Sequence, residues 1–218
     1  GNEGTPLLGV LNPTIKAPNK EDVKQLSEEA PGDFSTTSFK WLSYLIEIAI
    51  LRPTDCVLEL GCGAGRVAYA LAGYLKPTGG YEGVDFREQV LLWPRSEVTT
   101  KKPNFNFRWE NVFHPIYNPT GTVSGVEFDL PYHDSSFDVV CVTDLFASLQ
   151  VSEVRHYLRQ VSRVLRPEGR LLFGCFLLNP ESQRLIAEGR GSQKLMYKVE
   201  GGLTLDSDLP EKGVGFSE

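Results

Sequence analysis

A chain of 218 residues, 41% apolar and 23% charged, is long enough to bury a core and reads as one globular domain. Its formal net charge of −6 argues against a nucleic-acid backbone as main partner, because such binding rests on clustered lysine and arginine. No apolar run reaches the ~18 residues of a membrane helix, and no signal peptide is expected. Cys56, Cys62, Cys141 and Cys175 show no metal-ligand spacing, so no metal is expected, and they suit a reducing, cytoplasmic location.

In chain order, the N-terminal stretch carries Pro6, Pro13 and Pro18 without periodicity and reads as a draped arm. Residues 21–30 suit a short helix ended by Pro31-Gly32, and 33–38 form a polar loop able to cap the next helix. Residues 39–51 form that helix, which is apolar and expected to pack on a sheet, with Pro53 marking its end.

The centre of the sequence is the stretch 57–72. An apolar run of strand length breaks into Gly61, Gly63 and Gly65, then resumes at helical spacing through Val67, Ala70 and Leu71. Glycines at a strand-to-helix turn let a ligand press against the backbone, and the helix start favours a carboxylate or phosphate. The dinucleotide fingerprint requires glycine at 66, where Arg66 stands; here Glu59 precedes G-x-G-x-G. A second strand, 80–84, ends on Asp85, an acid suited to the two hydroxyls of a ribose.

Beyond it, 87–93 reads as a helix broken by Pro94, and 105–109 alternates as a third strand with Asn111 at its tip. The insertion at 113–127 leaves the ligand-binding edge of the sheet and is expected to help form the substrate pocket. Residues 137–142 form a buried fourth strand, and 152–165 an amphipathic helix capped by Ser152 whose Arg155, Arg159 and Arg163 form a solvated face. Pro167-Glu168-Gly169 turns the chain into a fifth strand at 170–176, a helix comes next at 181–188, and 191–218 is glycine-rich and polar.

Three stretches carry a family resemblance. Glu59-Leu60-Gly61-Cys62-Gly63-Ala64-Gly65 resembles motif I of the class I S-adenosylmethionine-dependent methyltransferases, and Gly83-Val84-Asp85 their second motif. Asp129-Leu130-Pro131-Tyr132-His133-Asp134-Ser135-Ser136-Phe137-Asp138 is similar to their L-P-F-x-D-x-S-F-D signature, and the likeness runs from about Cys56 to Phe176.

The resemblance implies an α/β, Rossmann-like doubly wound fold with a mainly parallel sheet and helices on both faces. The domain plan is an arm and lid at 1–37, a core at 38–190 and an irregular tail at 191–218. The family's C-terminal antiparallel hairpin is missing or incomplete in that tail: either the chain is truncated or the sheet is completed in an unusual way. By resemblance, Glu59, Gly61, Cys62, Gly63, Gly65, Asp85, Phe86, Asn111, Val112 and Thr143 hold S-adenosylmethionine, with Asn111 on the adenine amino group. Phe34, Trp41 and Tyr44 border the site or belong to the core. His114 and Asp144 are the candidate catalytic bases, while His133 and His156 lie away from the cofactor edge.

The expected function is methyl transfer to a small or medium-sized acceptor. The alternatives are a cofactor-binding protein without transfer activity of its own and, disfavoured by Arg66, a nicotinamide-dependent oxidoreductase.

Overall fold

A computed structural model describes residues 15–18, 34–191 and 193–217. The 21–30 helix and most of the 1–37 arm expected from the sequence lie outside these residues. Among the described residues the first helix, α1 (Phe34–Glu47), starts five residues before its apolar run. Burial explains this: Phe34 packs edge-on against Tyr69 and Trp93, with ring centroids 5.7 and 5.6 Å away. That contact outweighs the weak helix propensity of Ser35-Thr36-Thr37-Ser38.

After α1 come β1 (Cys56–Leu60), α2 (Arg66–Tyr74), β2 (Gly80–Asp85), β3 (Phe105–Trp109), β4 (Phe137–Val142), α3 (Val151–Val164) and β5 (Leu165–Phe173). The five strands form one parallel sheet in the order β3-β2-β1-β4-β5. The order reverses between β1 and β4, where open α/β sheets leave a crevice beyond their carboxyl ends. Pro94 does not break the helical stretch before β3: 3-10 geometry at Glu88–Leu91 gives way to one α turn and then π geometry at Arg95–Thr99. The ring's missing N–H is absorbed by these changes in hydrogen-bond pattern.

Alternation along the strands sorts the core into two halves. Val57 and Val139 face α1 and α2, with Leu42, Leu45, Val67 and Leu71. Leu58, Leu60, Val140 and Val142 face α3, with Tyr157, Val161 and Val164. Successive strand side chains point to opposite faces, so one apolar run serves both layers.

Four details depart from the sequence reading. β5 begins at Leu165 and ends at Phe173, so Pro167-Glu168-Gly169 is an irregularity inside the strand and not a turn before it. Gln150, not Ser152, caps α3, in a capping box with Glu153. Arg163 is no solvated charge: its guanidinium donates to the carbonyls of Leu130 and Tyr132, both at 2.7 Å, and to Asp134, clamping the 129–134 segment to α3. The tail is not irregular. After β6 (Phe176–Leu178) and α4 (Pro180–Ala187), β7 (Tyr197–Val199), β8 (Gly202–Thr204) and β9 (Val214–Ser217) complete a separate four-stranded sheet in the order β6-β9-β8-β7. Its β7-β8 and β8-β9 pairs are antiparallel, so the antiparallel element stands apart from the main sheet. Strands of only three or four residues carry little periodic signal, which is why the sequence hid them.

Candidate functional site

The glycine loop between β1 and α2 is built on backbone geometry. Gly61, Gly63 and Gly65 all have positive φ, at 73°, 51° and 75°. A Cβ at Gly61 would lie 2.9 Å from Leu145 Cβ, and one at Gly65 2.8 Å from Pro94 Cβ. Any other residue is therefore strained at all three positions, and crowded at Gly61 and Gly65.

Asp85 holds this loop from the tip of β2. Its Oδ2 accepts from Gly63 N–H at 2.8 Å, and its Oδ1 accepts from Arg87 N–H at 2.8 Å. The side chain is 2% exposed and also pairs with the Arg87 guanidinium. Arg87 lies over the ring of Tyr117, 4.9 Å from its centroid, which ties the acid to the insertion.

Glu59 is buried under the loop and accepts from Tyr81 Oη at 2.5 Å. Burial, followed by the nearby charges of Asp144 and Asp85, pushes its carboxyl up to about 8 against the lowering effect of the Tyr81 hydrogen bond. Glu59 is thus neutral at pH 7. Burial likewise pushes the Cys62 thiol well up, so it stays protonated and unreactive.

A cavity of 340 Å³ opens over these groups, within the range of small-molecule sites. Glu59, Gly61, Cys62, Gly63, Asp85, Phe86, Thr143 and Asp144 line it together. Gly65 shapes the loop without lining the cavity. Val112 lines a small adjoining slot that shares Gly61, Asp85, Phe86 and Leu145 with the main cavity. Asn111 lines neither space, and its side-chain amide donates to Thr122 Oγ1 at 2.9 Å; Glu110 faces the slot in its place.

His114, the first candidate base, is buried with both ring nitrogens engaged. It is 1% exposed, its Nε2–H donates to Ser148 O at 2.8 Å, and its Nδ1 accepts from Ile116 and Tyr117 N–H at 3.2 Å. Both nitrogens are committed, and the ring packs in a three-way aromatic cluster with Phe86 and Tyr117. Burial lowers its pKa, which keeps it neutral. Asp144, by contrast, is exposed and lines the cavity.

The rest of the wall comes from places the sequence did not connect. Trp41 of α1 lines the cavity, whereas Phe34 is core. Phe176, Gln193, Leu205, Lys212 and Gly213 close it from the C-terminal sheet. No pattern marks them in the sequence, because they meet the site only through the second sheet's docking. Among the described residues no group of three or more His, Cys, Asp or Glu could hold a metal ion, and no helix is long and apolar enough to cross a membrane.

Residues 58–173 match the family model of the methyltransferase domain, more than half the chain. The chain belongs to the methyltransferase domain family. The match begins in β1 and ends with β5, so it covers the glycine loop, Asp85 and Asp144 but not Trp41 or the C-terminal sheet. Among curated relatives, the domain is 29% identical over 131 residues to the demethylmenaquinone methyltransferase of Lactobacillus johnsonii, covering 60% of this chain and 48% of that protein. It is 30% identical over 135 residues to the ubiquinone/menaquinone biosynthesis C-methyltransferase UbiE of Ectopseudomonas mendocina, covering 61% of this chain and 46% of that one. The chain spans about half the length of these relatives. A crystal structure of the PH0226 protein from Pyrococcus horikoshii shares the fold, with a TM-score of 0.58 at 18% identity over 88% of this chain and 81% of that one.

Proposed function

We propose that this methyltransferase domain binds S-adenosylmethionine and transfers its methyl group to a small, flat, largely apolar acceptor, in the cytoplasm. The observation that carries the reading is Asp85, a buried acid at the tip of β2, hydrogen-bonded to the Gly63 N–H of a three-glycine loop that opens on a 340 Å³ cavity. The residues present suit the cofactor: a carboxylate for a ribose diol, a loop without side chains for close approach, and the aromatic Phe86 beside it. When bound, S-adenosylmethionine supplies a methyl group on a sulfonium whose departure needs no proton.

The chain's own task is alignment and the exclusion of water. Gly61, Gly63 and Asp85 hold the nucleoside side, and Thr143 and Asp144 form the floor at the tip of β4. Trp41, Phe176 and Leu205 form an apolar wall for the acceptor, with Lys212 and Gln193 at its rim. The names of the two quinone-pathway relatives agree with such a wall. Asp144 is the carboxylate placed to take a proton from an acceptor that must lose one. The four free cysteines suit a reducing compartment.

Calorimetric titration with S-adenosylhomocysteine tests the reading. Wild type is expected to bind, and Asp85→Asn to bind tenfold or more weakly, about 1.4 kcal/mol. A folded wild type that takes up no S-adenosylhomocysteine overturns it.

A further inference from the structure

The Asp85 carboxylate is full. Oδ1 accepts from Arg87 N–H at 2.8 Å and from Arg87 Nε–H at 3.2 Å. Oδ2 accepts from Gly63 N–H at 2.8 Å and from Arg87 Nη2–H at 3.3 Å. An ionised carboxylate offers about four lone-pair sites, so the set is complete. A vicinal diol needs two of them.

The four bonds are not equivalent. The two at 2.8 Å come from backbone that the strand tip and glycine loop fix in place. The two longer ones come from the end of one flexible side chain, Arg87, which is 27% exposed where Asp85 is 2% exposed. They fall one on each oxygen, the distribution that two neighbouring hydroxyls require. A Cβ on Gly63 would sit 3.6 Å from Arg87 Nη2, so the guanidinium stands directly against the loop. A second resting place is also built. The guanidinium already lies 4.9 Å from the Tyr117 ring centroid, and Tyr117 is braced by His114 at 4.8 Å and Phe86 at 6.3 Å. A cation over such a face keeps part of its stabilisation without the carboxylate.

We propose that Arg87 is an internal stand-in for the nucleoside: its guanidinium occupies the two Asp85 sites that a ribose diol takes, and ligand entry moves it off the carboxylate while it stays on Tyr117. Arg87 thereby sets ligand affinity by competition and keeps the buried acid paired until the diol arrives. A buried carboxylate left without partners is costly, which gives the empty-site pairing its physical reason. The inference rests on the nucleoside-binding reading of the cavity.

The test has two arms. In calorimetry with S-adenosylhomocysteine, Arg87→Ala and Arg87→Gln are expected to bind about threefold to tenfold more tightly than wild type. In nitrogen-15 spectra of wild type, the Arg87 Nε–H signal is expected to shift on adding adenosine and to stay in place with 2′,3′-dideoxyadenosine, which lacks both hydroxyls. Weaker or unchanged binding by a folded Arg87 variant overturns the proposal, as does an Nε–H signal that adenosine leaves unmoved although it binds. The spectral arm uses wild type and decides the matter if the variants do not fold. A folded wild type that binds neither S-adenosylhomocysteine nor adenosine overturns the underlying site reading, a separate and recognisable result.

Discussion

Tyr81 reaches Glu59 across the β1–β2 pair, and its hydroxyl donates to Oε2 at 2.5 Å beneath the glycine loop. The register makes this possible: Val57 lies opposite Tyr81 and Glu59 opposite Gly83, so all four sit on one face of the sheet. The bond is buried, and it supports the loop from below while Asp85 holds it from the side.

Glu59 carries a pH dependence with a definite sign. Its carboxyl rises from 4.5 to about 8 on folding, so between those values the folded state holds a proton that the unfolded state has released. Its contribution to stability is therefore full below pH 4.5, falls as pH rises toward 8, and levels off beyond. Glu59→Gln keeps the shape and an acceptor for Tyr81 without the charge. The stability of this variant relative to wild type is expected to rise by roughly 1–4 kcal/mol between pH 5 and pH 8, read from denaturant melts. A difference that stays constant with pH would contradict a buried, neutral Glu59.

Gly83 is where the Tyr81 side chain needs room. A Cβ there would meet Tyr81 Oη at 2.8 Å and Cys62 Sγ at 2.9 Å. Gly83→Ala is expected to cost about 1–3 kcal/mol by crowding a packed core. The double variant with Tyr81→Phe removes the closest atom and is expected to recover part of that loss. Thermal melts of the three variants and wild type form the cycle that checks it.

His114 is expected to behave as scaffold. His114→Gln should lose about 2–4 kcal/mol through broken buried hydrogen bonds, and leave the pH profile of turnover unchanged. Because burial lowers the pKa of His114, the unfolded state takes up a proton first as pH falls below the ordinary value of 6.5. Wild type then loses stability that the variant does not, so the gap narrows from pH 7.5 to pH 5. A kinetic pKa that disappears in His114→Gln would restore it as a base.

The proposed acceptor wall is separable from the proposed nucleoside side by mutation. On the proposed reading, Trp41→Ala and Leu205→Ala are expected to raise KM for the methyl acceptor about tenfold, with S-adenosylhomocysteine affinity within about twofold of wild type. Steady-state kinetics and calorimetry on the same preparations decide it. Equal losses in both would place these residues in the folding core rather than on the acceptor.

Local order along the sequence determined the parallel sheet, the glycine loop, Asp85 and the family. Each is written in contiguous residues: an apolar run of strand length, glycines that the turn itself requires at positive φ, and an acid at the end of a strand. A pattern of that kind survives because the physics acting on it is local. The long-range outcomes were decided by the tertiary structure alone. It paired Tyr81 with Glu59 and filled Asp85 with Arg87. It engaged both ring nitrogens of His114 in hydrogen bonds, and folded 193–217 into strands that help close the cavity. Those outcomes depend on which side chains meet after the layers pack, where burial shifts a carboxyl or commits a ring nitrogen. No spacing along the chain records that meeting, because the contacts that create it come from residues far apart in sequence.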